Sequence, residues 1–421
     1  MGNFFSHRDT CRACHGKDVS VVLPLQPLQV ATPNIGSTDS ESVEALAQAL
    51  VPLDLYRCAG CGHLQLLDII NPSVHYDNFS YRTSISLGLT QHFERLATTV
   101  IDQLQLSSSD LVVEIGSNDG TLLRFFQNKG MNVLGIDPAR AIARAATSEG
   151  IETIADFFTL DLAKQIRAKH GPAAVVLCNN TFANLDDLDG PIAGIEHLLA
   201  DDGVMVFETQ HGADVIERFL IDTIYHEHLS YFLAGSLKEL FARTGMDLFA
   251  LEPIGMKGGS IRGFVQKTGG ARQPDGSLDK IIAAEAAQGL EDPVTYEAFM
   301  RRLKGIKTDL RALIEKALSA GQRVAGYGAS VGSVTMINQL GLGNVLAMIA
   351  DDKPLGEAIV GPDYIIPIVS PDALSQSDID WVIILAWRYA EPIIRNNQAL
   401  LENGMKFIQP LPALHIHEGA S

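Results

Sequence analysis

Four of the five cysteines form two Cys-x-x-Cys pairs, Cys11/Cys14 and Cys58/Cys61, with forty-three residues between them. Two such pairs can bring four thiolates to one tetrahedral zinc ion, and four protein ligands leave no open position for catalysis. Gly60 and Gly62 supply the backbone freedom that a tight knuckle needs. The spacing therefore predicts a structural Zn2+ site, with His15 and His63 as alternative ligands if a cysteine does not coordinate.

The second group is Glu114-Ile115-Gly116-Ser117-Asn118-Asp119-Gly120. A strand that leads at once into Gly-x-x-x-Gly and a helix is a general nucleotide-binding arrangement. The acidic residues narrow it. Glu114 in the strand and Asp119 in the loop would repel a pyrophosphate but suit the cationic sulfonium and ammonium of S-adenosylmethionine. Asp137 ends the next strand, where it can accept hydrogen bonds from both ribose hydroxyls. Asp156 can take an adenine amino group, with Phe157 giving the ring an apolar or main-chain contact. Asn179 and Asn180 end the fourth strand, at the edge where open α/β sheets bind ligands. An NAD-type site is the alternative, and Glu114 with Asp119 speaks against it.

The third group is Tyr225-His226-Glu227-His228. A histidine that titrates near neutrality can remove a proton from a carbon beside a carbonyl, and a neighbouring carboxylate can orient it. The His-Glu-x-x-His pattern of zinc proteases is absent. Taken alone, these residues leave a purely structural histidine open.

The elements that must position these groups follow from periodicity. Apolar residues at three-to-four spacing across Ser84–Leu106 predict an amphipathic helix, and Glu41–Leu50 is the one helical stretch before it. Strands are expected at Leu111–Ile115, Asn132–Ile136, Thr153–Ile154, Ala173–Cys178 and Gly203–Glu208, with helices between them. That alternation implies a parallel doubly wound sheet. Gly269–Pro293 reads as a linker, and Tyr296–Ala320 as a long helix. A second α/β unit then runs through Arg323–Tyr327, Val345–Ala350 and Trp381–Leu385. The expected architecture is α/β in three parts: a zinc-binding module over residues 1–78, a Rossmann-like cofactor domain over 79–255 and a Rossmann-like C-terminal domain over 256–421.

At 421 residues, with 46% hydrophobic and 19% charged residues, the chain is expected to be a multidomain globular protein. A net charge of -18 argues against general affinity for nucleic acid or anionic membrane. With neither a signal-like N-terminus nor a membrane-length apolar run, a cytoplasmic location is expected. A monomer or weak homodimer is expected.

In ordered succession, the paired cysteines, Tyr81-Arg82-Thr83-Ser84, Glu114–Gly120, Tyr225-x-Glu227-His228, Gly258-Gly259-Ser260-Ile261-Arg262, Gly326-Tyr327-Gly328-Ala329-Ser330 and Ile383–Trp387 resemble one family. It is the nucleotide-sugar C-methyltransferases, the sugar 3-C-methyltransferases of deoxysugar biosynthesis. The resemblance implies an S-adenosylmethionine-dependent C-methyltransferase acting on a 4-keto sugar linked to a nucleoside diphosphate. It implies His228 as the base, with Glu227 and Tyr225 in support. Tyr81, Lys257, Arg262, Tyr327, Ser330 and Arg388 become candidates for substrate contact. The chain departs from the family pattern at Asn184, where His is usual, and near Gly332, where Lys is usual. It also has His226 in place of Asp, and Arg388 where Asn is common. These departures leave the sugar and its nucleotide open. The other readings are an O- or N-methyltransferase on a natural-product or glycan precursor, and a non-catalytic zinc- and nucleotide-binding module.

Overall fold

The computed structural model describes residues 4–30, 49–72, 82–85, 88–354 and 356–419. Tyr81 and nearly all of the helical stretch expected over Glu41–Leu50 lie outside them, and Leu50 itself belongs to a short strand, Leu50–Val51.

The central sheet has seven strands. In chain order they are Leu111–Ile115, Asn132–Ile136, Thr153–Ile154, Ala173–Asn179, Leu199–Gln210, Met246–Ile254 and Ser260–Lys267, and in space they run 3-2-1-4-5-7-6. All five side chains of Leu111–Ile115 are buried, as in a parallel strand covered on both faces. The expectation of a wholly parallel sheet is corrected at one end. Met246–Ile254 and Ser260–Lys267 form a hairpin, and Ser260–Lys267 pairs antiparallel with Leu199–Gln210. The hairpin turns through Lys257, Gly258 and Gly259 at positive φ, which the pair of glycines permits. The central sheet thus extends to Lys267, past residue 255.

Inside the expected linker Gly269–Pro293 lies a helix, Ser277–Ala287. Leu278, Ile281 and Glu285 form its buried face at helical spacing, within text whose glycines and prolines suggest only a connection. Glu285 Oε1 accepts hydrogen bonds from His211 Nε2 at 2.9 Å and from the Ala234 amide at 2.7 Å. His211 Nδ1 meets Asp214 at 2.9 Å. Burial works against charge on this imidazole, but the two carboxylates outweigh it and raise its pKa to about 9. A raised folded-state value stabilises below the unfolded value near 6.5, and the gain is lost as pH rises through about 9. The shift corresponds to on the order of 3 kcal/mol. Thermal unfolding across this window is expected to show Glu285→Gln well below wild type at pH 6 and converging on it by about pH 10. A pH-independent gap would contradict this.

The C-terminal sheet also has seven strands, ordered Ala358–Val360, Ile365–Val369, Leu346–Ala350, Val324–Tyr327, Trp381–Ile384, Lys406–Gln409 and His415–His417. Its inner strands are parallel and its two edge strands antiparallel. The long helix, Pro293–Ser319, starts with Asp292 accepting from the Val294 amide at 2.9 Å and with Pro293 in its first turn. Its stripe from Tyr296 to Ala317 is buried against Val19–Leu23 of the N-terminal module and the helix Val331–Leu340. A four-stranded N-terminal sheet, in the order Ser230–Tyr231, Leu64–Leu66, Leu55–Cys58, Val19–Leu23, is completed by residues just past His228.

Candidate active site where two sheet edges meet

In the central sheet, strands Leu111–Ile115 and Ala173–Asn179 are neighbours whose connections leave in opposite directions, which opens a crevice at their carboxyl ends. Gly116, Asn118 and Gly120 all take positive φ, at 71°, 50° and 72°. A Cβ on Gly116 would lie 2.1 Å from Thr181 Oγ1 and 2.8 Å from Thr181 Cβ, so the backbone of the loop packs where no side chain fits. Glu114 is buried, and its Oε2 has no hydrogen-bond partner among the described residues. Burial pushes its carboxyl well up, and the charges of Asp119 and Asp137 add to the shift. Both side-chain polar atoms of Asn179 are likewise buried without a partner.

The remaining cofactor candidates divide by what they touch. Asp137 accepts the Asn118 amide on Oδ2 and the Ala139 amide on Oδ1, each at 2.8 Å, so the loop and the following helix are fastened to it. Asp119 accepts from Thr121 Oγ1 at 2.6 Å and from the Ser84 amide at 2.9 Å, while Asn118 Oδ1 accepts from the Thr83 amide at 2.9 Å. The loop is therefore joined to the segment that precedes helix Leu89–Leu104. Asn180, at φ 54°, donates its amide to Glu208 O at 2.8 Å. Asp156 and Phe157 are exposed at the rim.

The Tyr225–His228 segment is fixed from three sides. Thr335 Oγ1, on helix Val331–Leu340, donates to Ile224 O at 2.9 Å. The Leu229 carbonyl accepts from the Leu66 amide at 3.0 Å and from the buried Arg12 at 2.9 Å, and its amide donates to Ala183 O at 2.8 Å. His226 reaches Pro52 O at 2.9 Å and is held neutral by burial, with its pKa near 4. The histidine that replaces the family's Asp is thus a tether to the N-terminal module.

His228 faces a different way. Its Nδ1 lies 3.1 Å from Thr223 O, a pure acceptor, so the ring proton sits on Nδ1. Nε2 then accepts from the Tyr225 hydroxyl at 3.0 Å. Burial first, and then the charge of Lys257, press the His228 pKa down to about 3. Glu227 moves the opposite way, pushed up to about 7 by burial against the pull of Lys257. Lys257 has an open surface yet is surrounded by protein mass, and that desolvation lowers it to about 8 although Glu227 opposes the shift. Asn184 sits in the turn Phe182–Asn184 with Oδ1 buried and unpartnered among the described residues.

The C-terminal sheet presents its own crevice beside this segment, between Val324–Tyr327 and Trp381–Ile384. Ser330 caps helix Val331–Leu340 by accepting from the Ser333 amide. A Cβ on Gly328 would come within 2.5 Å of Ala386 Cβ. Gly332 has its missing side chain aimed at Asp222 O, only 2.5 Å from where a Cβ would be, so a lysine has no room there. Tyr327 places its hydroxyl 3.2 Å from both oxygens of Asp352. Arg388 donates to Asp222 Oδ2 at 2.5 Å and lies over the Trp387 ring. Arg262 is committed elsewhere: its guanidinium meets Glu208 at 2.6 Å and Glu252 at 3.2 Å, and His92 occupies the other Glu208 oxygen at 2.7 Å. This His92–Glu208–Arg262 cluster was not foreseen, although a Glu and an Arg inside two apolar strands mark it. A cavity of about 570 Å³ lined by Asp110, Asn132 and His170 lies at the opposite, amino-terminal edge of the central strands.

The four cysteines converge as their spacing requires. Their sulfurs all lie within 4.8 Å of one another, with Cys11–Cys61 and Cys14–Cys58 at 3.6 Å. His63 is buried and directed at Ser230 and Ser236, and His15 pairs with Asp189 at 2.8 Å, so neither alternative ligand joins them.

The family described as "C-methyltransferase C-terminal domain" matches residues 255–412, and "Methyltransferase domain" matches 89–251. The C-methyltransferase NovU of Streptomyces niveus is 33% identical over 405 residues, covering 96% of each chain. An uncharacterized methyltransferase of Alkaliphilus oremlandii is 25% identical over 172 residues, 39% of this chain and 75% of that one. A solved S-adenosylmethionine-dependent methyltransferase from Clostridium acetobutylicum, 10% identical, aligns with a TM-score of 0.35 over 43% of this chain and 92% of its own. The fold is that of the class I methyltransferases, with a Rossmann-like sheet. The chain belongs to the C-methyltransferase family and is an S-adenosylmethionine-dependent enzyme of that class.

Proposed function

We propose that this enzyme methylates the carbon beside the ketone of a nucleoside-diphosphate-linked 4-keto sugar. The observation that carries the reading is the Tyr225–His228 pair, held where the crevices of two nucleotide-type sheets meet. One crevice suits the cofactor and the other the nucleotide of the substrate.

The residues present fit S-adenosylmethionine. A buried carboxylate with an unpartnered oxygen, Glu114, and two further acids around it call for a cation, and Asn179 offers a free donor and acceptor. Gly116, Asn118, Gly120 and Asn180 give close backbone approach, Asp119 and Asp137 add charge, and Asp156 with Phe157 stands at the rim for the adenine. When bound, the cofactor supplies an electrophilic methyl group.

His228 Nε2 takes the proton from the carbon next to the ketone. The electron pair of the broken C–H bond moves onto the ketone oxygen as an enolate, leaving that carbon nucleophilic. The Thr223 carbonyl keeps the imidazole proton on Nδ1, and the Tyr225 hydroxyl, which donates to Nε2 in this structure, must turn away to free that lone pair for the substrate proton. A free-state pKa near 3 keeps the imidazole neutral at every working pH, and negative charge growing on the substrate strengthens it as a base. Tyr327, Ser330 and Arg388 lie at the C-terminal crevice for the nucleotide diphosphate, whereas Arg262 acts through Glu208 as a positioning residue. Incubation with S-adenosylmethionine and a panel of 4-keto nucleotide sugars is expected to give methylated product. No transfer to any of them despite cofactor binding would contradict the reading.

The cysteine cluster is proposed to hold one structural zinc ion. Four sulfurs at about 2.3 Å from a tetrahedral zinc lie about 3.8 Å apart, close to the 3.6 Å pairs here. Metal analysis is expected to find one zinc per chain. Removing it is expected to lower both the melting temperature and turnover, because Ser230–Tyr231 pairs with Leu64–Leu66 of the same module. A metal-free chain of full activity would contradict this. Among the described residues no helix is long and apolar enough to cross a membrane.

A further inference from the structure

We propose that Asp222 is a positioning residue for the base: pinned by the C-terminal domain, it fixes the Thr223 carbonyl that sets the His228 imidazole in place. The C-terminal domain then aims the base as well as holding the nucleotide. This rests on the reading of His228 as the base of a keto-substrate reaction.

The first argument is an unbroken run of contacts. His228 Nδ1 donates to Thr223 O at 3.1 Å, and the buried Tyr231 hydroxyl donates to the same oxygen at 3.2 Å. That carbonyl belongs to the short turn Ile221–Thr223, in which the Thr223 amide and hydroxyl both return to Leu220 O, at 3.0 and 2.7 Å. A single turn of this kind has little stability of its own. The C-terminal domain braces it. Arg388 Nη1 donates to Oδ2 of the buried Asp222 at 2.5 Å. The backbone of Gly332 lies against Asp222 O, which is 2.5 Å from where a Cβ would stand. Thr335 Oγ1 donates to Ile224 O at 2.9 Å. Thr223 lies between the two braced residues.

The second argument is what the base requires. The proton of a neutral imidazole sits on the nitrogen whose hydrogen bond demands it, and Thr223 O therefore leaves Nε2 as the basic atom. If that carbonyl moves, the ring can turn or take the Nε2–H tautomer, which cannot accept a proton from carbon. A general base acts only within hydrogen-bond reach of its proton, and a misplacement of about 1 Å can cost about 10²-fold.

The third argument is where the braces come from. Gly332 and Thr335 belong to the helix that follows strand Val324–Tyr327, and Arg388 follows strand Trp381–Ile384. These are the two strands that open the C-terminal crevice, so the joint begins at that crevice and ends on His228. Burial works against charge on Asp222, and the Arg388 guanidinium opposes that effect. A buried carboxylate of this kind depends on its partner.

Two full-length variants disturb the joint from opposite sides and leave Arg388 and the base unchanged. Asp222→Asn keeps the size of the side chain and removes its charge. Gly332→Ala sets a methyl group against Asp222 O. Gly332 is not at positive φ, and alanine in a helix is otherwise favourable. Each is given a thymidine-diphosphate 4-keto-6-deoxyhexose in D2O, with S-adenosylhomocysteine present so that no methyl moves. Proton NMR reads deuterium uptake at the carbon beside the ketone, and a separate assay reads methyl transfer. Nitrogen NMR of ¹⁵N-histidine protein, assigned against His228→Ala, reads the His228 tautomer.

Both variants are expected to slow exchange and kcat by about 10–10²-fold. The sugar KM should stay within about threefold and S-adenosylhomocysteine affinity should be unchanged, which also shows that the variants are folded. The His228 Nδ1 signal should move toward that of an unprotonated nitrogen. A role in stability alone would lower the melting temperature but leave the tautomer and the exchange rate as in wild type, and that result would overturn the proposal. So would a raised KM with unchanged kcat, which would mean that the joint shapes the nucleotide crevice and not the base. If His228→Ala loses exchange while both variants keep it, the base stands and the role of Asp222 falls. If the wild-type enzyme neither exchanges nor methylates, the keto-sugar reading falls, and the tautomer still decides whether Asp222 sets His228.

Discussion

Replacing His228 with alanine is expected to lower kcat by about 10²–10⁴-fold while leaving S-adenosylmethionine binding nearly unchanged. The separation follows from the architecture. His228 is held by Thr223 and Tyr225 on the segment between the sheets, whereas the cofactor candidates Glu114, Gly116 and Asn179 belong to the crevice of the central sheet. The substitution removes the acceptor for the substrate proton but none of the bonds that anchor the segment, which run through Ile224, His226 and Leu229. Steady-state kinetics and calorimetry on the same preparation check it. Survival of turnover would mean that no enolising base is needed, as in transfer to oxygen or nitrogen. Tyr225→Phe should cost less, because it removes a contact to Nε2 and leaves the imidazole in place.

The second large effect is expected from Gly116→Ala. At φ 71° an alanine carries a cost of about 1–2 kcal/mol from its conformation alone. Its Cβ would overlap the whole Thr181 side chain, including Thr181 Cβ at 2.8 Å, which no rotamer change relieves. Overpacking of this kind adds about 1–3 kcal/mol. The loop must then move away from Thr181, and with it the backbone proposed above to approach the cofactor. A lower melting temperature and at least about a tenfold weaker affinity for S-adenosylmethionine are expected, read by thermal shift and calorimetry. Wild-type affinity would show that the loop does not shape the cofactor site.

How much of this was visible in sequence depends on how far apart the interacting residues lie. The strands and helices around Glu114–Gly120 were legible because their periodicity is local, and the four cysteines because ligand spacing is a short-range pattern. Helix Ser277–Ala287 was hidden by flanking Gly, Pro and Asp residues, although Leu278, Ile281 and Glu285 carry its period. The hairpin Met246–Lys267 was hidden because its strands close the central sheet antiparallel, against the alternation before them. Partners distant in the chain could not be read at all. His226 finds Pro52, Arg388 finds Asp222, and Gly332 is small because Asp222 O lies against it. Arg262 is the sharpest case: an arginine near a candidate diphosphate site reads as a ligand until Glu208 and Glu252 are seen to occupy it.

The central claim is carbon methylation by way of an enolate, and one experiment addresses it directly. The enzyme is supplied with S-adenosylmethionine carrying a ¹³C methyl group and with a 4-keto nucleotide sugar that accepts the methyl, and the product is examined by NMR. The account predicts a methyl bonded to the carbon next to the ketone, with that carbon's proton gone. A methyl carried on oxygen, or a product that keeps the original proton at that carbon, would contradict it.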